Sequence, residues 1–432
     1  MDTWSFSQLS TWDDAIYRLS VQRLTTPIPR AAAAPPVVAP PPGNPRFPHF
    51  DGLRAIAALS VLALHSAVYT DYFRGWEGAY ARQLAAGVTV FFLISGFLLY
   101  RPFVAARIGG RPPIELGRYM RRRVLRIVPA YWLALTLLAL YPGLPGHPLS
   151  ASHWLRYYGF AQDYDGSTLF DGLGTAWSLG TEVTFYLVLP VYAFILARPR
   201  FNRTGRASFG WDLGALALLS LGSFFFRYLV YGSHPNLGYT LPGTFDWFAL
   251  GMALAIVSVL VSEAQVKSRV VTVAERYPTL CWMIAFAILT LAAAYWERTL
   301  RYDAYSAGPL HVVWGLLAFF LLLPAVFNRG NRGLPHRFLS VRLIGWLGII
   351  SYGIYLWHLP LVPKIGHLAI GHFNLGSGLL ATVVVFTSVA LVTVACAAAS
   401  YYVVERPILR FKERRTKASA PGVVAINAEA KA

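Results

Sequence analysis

Ten stretches of the chain are apolar over a length that could cross a bilayer: residues 51–70, 85–100, 127–141, 178–197, 211–230, 244–262, 280–296, 309–327, 344–362 and 377–402. The third is short, and Pro129 and Pro190 are expected to break or kink the helices that carry them. Polar segments separate the stretches. The pattern predicts an all-α fold, a polytopic transmembrane helical bundle of about ten spans within residues 49–412. Before it, residues 25–48 form a proline-rich stretch expected to be an extended or disordered linker, and residues 1–24 lack the basic start and apolar centre of a signal peptide. Trp4, Phe6 and Trp12 there suit either a short interfacial helix or an unstructured tail, and residues 413–432 read as a disordered tail.

The first stretch, FDGLRAIAALSVLALHSA, is interrupted only by Asp51 and Arg54 at its start and His65 near its end. At about 100° per residue, eleven residues return to within roughly 20° of one face, and they rise roughly 16 Å. Arg54 and His65 therefore share a stripe. Ionisable groups inside a bilayer are costly and mark a function by default, because something must repay their desolvation. The plainer reading is an arginine snorkelling to the interface and a histidine satisfied by a neighbouring helix.

Composition fits a membrane protein, with 56% hydrophobic and 13% charged residues. The net charge of +18 would suit nucleic acid, but its distribution has a simpler cause. With residue 1 inside, 30 of the 38 Lys and Arg fall in inward segments and 6 in outward loops. The positive-inside bias then predicts that both termini are cytoplasmic. Cys281 and Cys396 lie in apolar stretches, so neither a disulfide framework nor a metal site is expected.

Other polar groups recur at particular depths. RRRVLRIVPAYW puts Arg123 and Arg126 three residues apart, as neighbours on a helix surface at a cytoplasmic mouth. Their planar forks suit phosphate, on a cofactor or on an anionic lipid. In FFLISGFLLY the small Ser95 and Gly96 suit close helix packing. Glu182 lies one turn beyond Ser178 in WSLGTEVTFYL and needs a cation, a donor or water; His65 or an arginine would serve. His358 follows Tyr352, Tyr355 and Trp357 and is either an interfacial anchor or a wall of a central cavity. Asp246 sits at the outer end of the sixth span, and Arg227 in the fifth needs a partner such as an acid. The long outer loop 142–177 mixes aromatics, ending at Trp177, with Asp163, Asp165 and Asp171, which suits sugars or an interfacial belt equally.

Taken in order, FDGLRAIAALSVLALHS, FFLISGFLLY, RRRVLRIVPAYW, WSLGTEVTFYL, SYGIYLWHLPL and VERPI resemble the acyltransferase-3 family of integral membrane acyltransferases over about residues 48–412. The resemblance implies O-acylation of an extracytoplasmic carbohydrate, glycolipid or cell-envelope glycan. The donor would be acyl-CoA from the cytoplasm, acetyl-CoA the expected one, with no permanently bound cofactor. Position by position, it puts His65 in the place of an essential histidine and Arg54 in that of its arginine. It gives Arg123 and Arg126 the pair that engages CoA phosphates. Glu182 matches the first of two family glutamates, and the second is Val183 here, which departs from the pattern. With about thirty polar residues after the last span, no fused extracytoplasmic hydrolase-like domain is expected.

The expected site therefore has His65 and Glu182 as catalytic groups and Arg54, Arg123 and Arg126 on the donor. Asp246, His358, Tyr352 and Trp177 would contact the acceptor. A bacterial cytoplasmic membrane is the expected location. A polytopic transporter or lipid flippase is the alternative that the same buried charges allow, and a scaffold acting through the proline-rich tail is a third.

Overall fold

Among the described residues of the computed structural model, fifteen α-helices make up the regular structure apart from short 3-10 and π turns. It describes residues 47–73, 75–198, 206–230, 233–263, 266, 268–299, 304–327 and 330–410. The expected tail helix and proline-rich linker before residue 47, and the tail after residue 410, lie outside the described residues. The helices are α1 (His49–Tyr69), α2 (Gly75–Gln83), α3 (Ala86–Ile108), α4 (Leu116–Leu140), α5 (Trp154–Tyr158), α6 (Trp177–Leu196), α7 (Arg206–Val230) and α8 (Leu241–Glu263). There follow α9 (Arg269–Arg276), α10 (Pro278–Thr299), α11 (Ala304–Phe327), α12 (Gly333–Leu339), α13 (Arg342–Ile349), α14 (Ser351–Phe373) and α15 (Leu379–Ser400). Among the described residues nine helices are long and apolar enough to cross a membrane, and the bent pair α13–α14 makes a tenth span. This is a multi-pass cell-membrane protein.

Two spans differ from the sequence pattern. The third begins at Leu116, not near residue 127, because the arginines of its first turns are helical. Arginine is a good helix former, and its apolar stem covers helix surface while the head reaches out. The ninth stretch is one span in sequence but bends by 71° between Ile349 and Ser351. Gly348 there sits against the backbone carbonyl of Asp51 with no room for a Cβ. Ser351 Oγ donates to the carbonyl of Gly348 at 2.8 Å, which satisfies a group the break frees. Pro129 and Pro190 instead lie within unbroken helices.

Helix α8 is the hub. Two-thirds of its most apolar window is buried (67%), against 17% for α7, whose surface is largely exposed. Helix α3 crosses α8 at backbone contact: a Cβ on Gly96 would meet the carbonyl of Phe248, and one on Gly251 the carbonyl of Leu93. Small residues permit that approach in a medium where packing, not water exclusion, drives association. A buried polar knot fastens α3, α6 and α7. Asp212 accepts bonds from the hydroxyls of Tyr100 (2.8 Å) and Tyr192 (2.9 Å) and pairs with Arg107.

The loop between α4 and α6 folds onto the bundle. Tyr131 on α4 donates to the Tyr157 carbonyl at 2.7 Å and stacks on Phe160. Its carboxylates are used inside the loop or beneath it. Asp165 pairs with Arg156 at 3.0 Å, and Asp171 accepts from Tyr157 at 3.4 Å. Asp163 is buried against Gly180, and neither of its oxygens has a hydrogen-bond partner.

Burial raises the Asp163 carboxyl from 3.8 to about 9. The acid is therefore neutral in the folded protein at pH 7 and ionised in the unfolded chain. A raised folded value means that stability is fully present below pH 3.8 and is lost progressively up to about pH 9. Asp163→Asn is expected to change stability little near pH 4 and to raise it by several kcal/mol at pH 8. Thermal unfolding in detergent at both pH values checks this, and an equal shift at both would defeat it.

Candidate active site

Helices α1, α3, α4, α6 and α14 enclose a narrow cavity of about 80 Å³. Its wall carries Arg54 from α1, Ser95 from α3, Arg123 and Arg126 from α4, Glu182 from α6 and Tyr352 from α14. Five expected site residues thus meet in one cavity, although they come from four helices spread over three hundred residues of chain. Ser95 and Gly96 divide their work: the glycine packs on α8, while the serine faces the cavity and donates to Glu182.

The arginines are not equivalent. Arg54 is held by Asp51 at 2.9 Å, one turn earlier on the same helix. Arg123 lies over the rings of Tyr119 (6.0 Å) and Tyr186 (5.8 Å), and its Nε has no hydrogen-bond partner. Neither Arg123 nor Arg126 forms an ion pair among the described residues. Two guanidinium groups on the wall of a low-dielectric cavity, with no ion-paired carboxylate among the described residues, have the chemistry to hold an anion. Glu405, which the sequence pattern did not single out, is buried in a π-helical turn (Tyr401–Glu405) and lies within electrostatic reach of Arg126.

His65 pairs with His358, not with Glu182 or an arginine: His65 Nδ1 and His358 Nε2 are 3.0 Å apart. His358 is fully buried, and its Nδ1 faces the carbonyls of Ile354 (3.1 Å) and Tyr355 (3.0 Å). Only an N–H can point at two carbonyls, so His358 carries its proton on Nδ1 and accepts at Nε2. His65 then donates from Nδ1, which leaves its Nε2 lone pair available to take a proton. Tyr355 links the dyad to the cavity. Its ring lies 5.8 Å from that of His358, it lines the cavity, and its hydroxyl is 2.8 Å from Ser178 Oγ, also on the wall.

The residues expected to contact the acceptor differ in where they stand. Tyr352 is on the wall with its hydroxyl donating to the Ile127 carbonyl at 2.9 Å. Trp177 packs edge-on against Phe92, a wall residue, and against Tyr239. Asp246 lies outside the lining, bonded to His311 Nε2 at 2.8 Å and to Ser223 Oγ at 3.2 Å. Arg227 finds no acid as its bonding partner but donates to the Gly238 carbonyl and lies over Tyr239. His311 is a further ionisable group in an apolar span, and that alone could have marked it in the sequence.

Comparisons with known proteins identify the family. The chain is 27% identical over 334 residues to peptidoglycan O-acetyltransferase OatA of Listeria monocytogenes, covering 73% of this chain and 49% of that protein. It is 26% identical over 388 residues to the putative peptidoglycan O-acetyltransferase YrhL of Bacillus subtilis, covering 84% and 55%. The chain therefore spans about half the length of these relatives. It is 30% identical over 353 residues to the exopolysaccharide production protein ExoZ of Rhizobium meliloti, covering 78% of this chain and 94% of that protein. No solved structure matches. The acyltransferase-3 family model (Acyltransferase domain) matches residues 47–402, and with that extent, the six motifs in order and the cavity they enclose, the chain belongs to this family.

Proposed function

We propose that the protein is a membrane O-acyltransferase that moves an acetyl group from acetyl-CoA to a hydroxyl of an extracytoplasmic carbohydrate of the cell envelope. The observation that carries the reading is one narrow cavity with Arg123 and Arg126 on its wall and, on the same wall, Tyr355, whose ring lies 5.8 Å from that of His358 in the His65–His358 dyad. The relatives named as peptidoglycan O-acetyltransferases support a glycan acceptor. The donor's pyrophosphate lies on Arg123 and Arg126 at the cytoplasmic mouth. Its pantetheine arm runs past Ser95 and Glu182 toward Tyr355 and His65.

His65 Nε2 takes the proton from the acceptor hydroxyl as that oxygen attacks the thioester carbonyl. The C–O bond forms, the C–S bond breaks, and the proton passes from His65 to the leaving thiolate, giving free CoA. Positive charge develops on His65 in this step, and the lone pair of His358 Nε2 stabilises it through their hydrogen bond. Asp51 and Glu182 orient the polar wall; neither touches the reacting carbonyl in this scheme. The variant in which His65 itself carries the acyl group uses the same lone pair as nucleophile.

The test is acyl transfer in proteoliposomes containing purified protein, acetyl-labelled acetyl-CoA and a cell-envelope glycan extract. Label bound covalently to glycan is the expected result. Label that crosses the bilayer on an unmodified molecule would establish a transporter in its place.

A further inference from the structure

Helix α4 carries two buried hydrogen-bond donors with no acceptor. The hydroxyl of Tyr119 and the Nε of Arg123 both lack a hydrogen-bond partner among the described residues, and Tyr119 is 7% exposed. Buried polar atoms in folded proteins are nearly always paired, because an unpaired one forfeits its bonds to water and gains nothing in return. Here an O–H and an N–H one helical turn apart both have a proton to give. The pair calls for an acceptor.

Both donors share a stripe with Arg126. Steps of four and three residues keep positions 119, 123 and 126 within about 40° of one face and spread them over about 10 Å of the helix axis. The Arg123 guanidinium lies over the rings of Tyr119 at 6.0 Å and Tyr186 at 5.8 Å. Those rings attract its charge without neutralising it as a carboxylate would. Phe103 of α3 braces Tyr119 edge-on at 5.6 Å. Glu182, the carboxylate on the cavity wall, is within electrostatic reach of Tyr119 and accepts from Ser95. The stripe therefore suits a negative group rich in acceptor oxygens and extended over two helical turns. One phosphate fills one end of it, and two linked phosphates fill its length.

We propose that Tyr119 binds the acyl donor and that the stripe selects a diphosphate: the phosphate on the adenosine side accepts from Tyr119 O–H and Arg123 Nε, and the phosphate on the pantetheine side lies on Arg126. The inference rests on the donor reading above. Arg126 stands farther along α4, in the direction in which the pantetheine arm runs, so the order of the three residues fixes the direction of the donor. It also sorts thioesters by class. Acyl-CoA has both phosphates, whereas the 4′-phosphopantetheine thioester of an acyl carrier has only the inner one. That thioester leaves the Tyr119 hydroxyl and Arg123 Nε unpaired and is the poorer donor.

The experiment measures initial rates with acetyl-CoA and with acetyl-4′-phosphopantetheine in phosphatidylcholine proteoliposomes, for wild type and Tyr119→Phe. Thermal unfolding of both proteins in detergent, without ligand and with CoA, accompanies it. Wild type is expected to prefer acetyl-CoA, through KM, by about tenfold or more, the factor that one charge-assisted hydrogen bond accounts for. Tyr119→Phe should raise KM for acetyl-CoA by about that factor at unchanged kcat, with KM for acetyl-4′-phosphopantetheine as in wild type. Without ligand the variant should unfold at the wild-type temperature or above, since it loses only an unpaired hydroxyl, and CoA should raise that temperature less than in wild type. Equal KM values for the two donors in wild type, an equal loss on both in Tyr119→Phe, or a ligand-free variant less stable than wild type would overturn the subsite and leave the donor reading standing. Wild type inactive with acetyl-CoA overturns both. A Tyr119→Phe defect that emerges only when phosphatidylglycerol is added would assign the stripe to an anionic lipid headgroup and overturn the diphosphate.

Discussion

His65→Ala is expected to lower acyl transfer by about a thousandfold or more while the protein folds, inserts and binds donor as before. The residue is half-buried near the end of α1 and its side chain pairs with His358, so truncation removes a lone pair and little packing. Transfer from acetyl-CoA in proteoliposomes, with donor binding measured in parallel, checks the expectation; retained transfer would remove His65 from the mechanism. His358→Ala should be milder and should act on kcat more than on KM. His358 touches neither donor nor acceptor in this scheme but fixes which His65 nitrogen is free. Incubating wild type with labelled donor and no acceptor tests the covalent variant, because an acyl-His65 intermediate would retain label on the chain.

The largest expected effect on stability lies away from the cavity. Asp212→Ala should destabilise the protein by about 3–5 kcal/mol, because Arg107 and two tyrosine hydroxyls lose their common acceptor in a dry interior. Asp212 is wholly buried, and the Arg107 side chain is 9% exposed. Asp212→Asn, which keeps an acceptor for the tyrosines, should recover part of the loss. Thermal unfolding in one detergent for the three proteins measures both. An Asp212→Ala protein as stable as wild type would show that the knot contributes nothing.

What the sequence made legible follows from how far each signal extends. The spans were readable because lipid enforces a long apolar run on every helix, and the stripe from Arg54 to His65 was readable because helical periodicity is local. The start of α4 was not, since a hydropathy window cannot tell an arginine-rich loop from an arginine-rich helix. The break before Ser351 was hidden for a different reason: its cause includes a contact between Gly348 and Asp51, nearly three hundred residues apart. The His65–His358 pair is equally non-local, and so is the Glu182–Ser95 bond. Each residue invited suspicion alone, but only the fold assigns partners.

The crossing of α3 and α8 at Gly96 and Gly251 has a mechanical consequence. Two helices that meet carbonyl to Cα cannot slide or roll past each other without collision, so they behave as a single beam through the bilayer. The face of α3 that carries Ser95 is mounted on that beam. Any breathing that admits a donor on one side and an acceptor on the other must therefore belong to the opposite wall. Helix α4, whose most apolar window is 33% buried against 72% for the span containing α3, forms part of that wall. Its arginines would swing against a fixed rail, and the beam would set the reading frame for the donor.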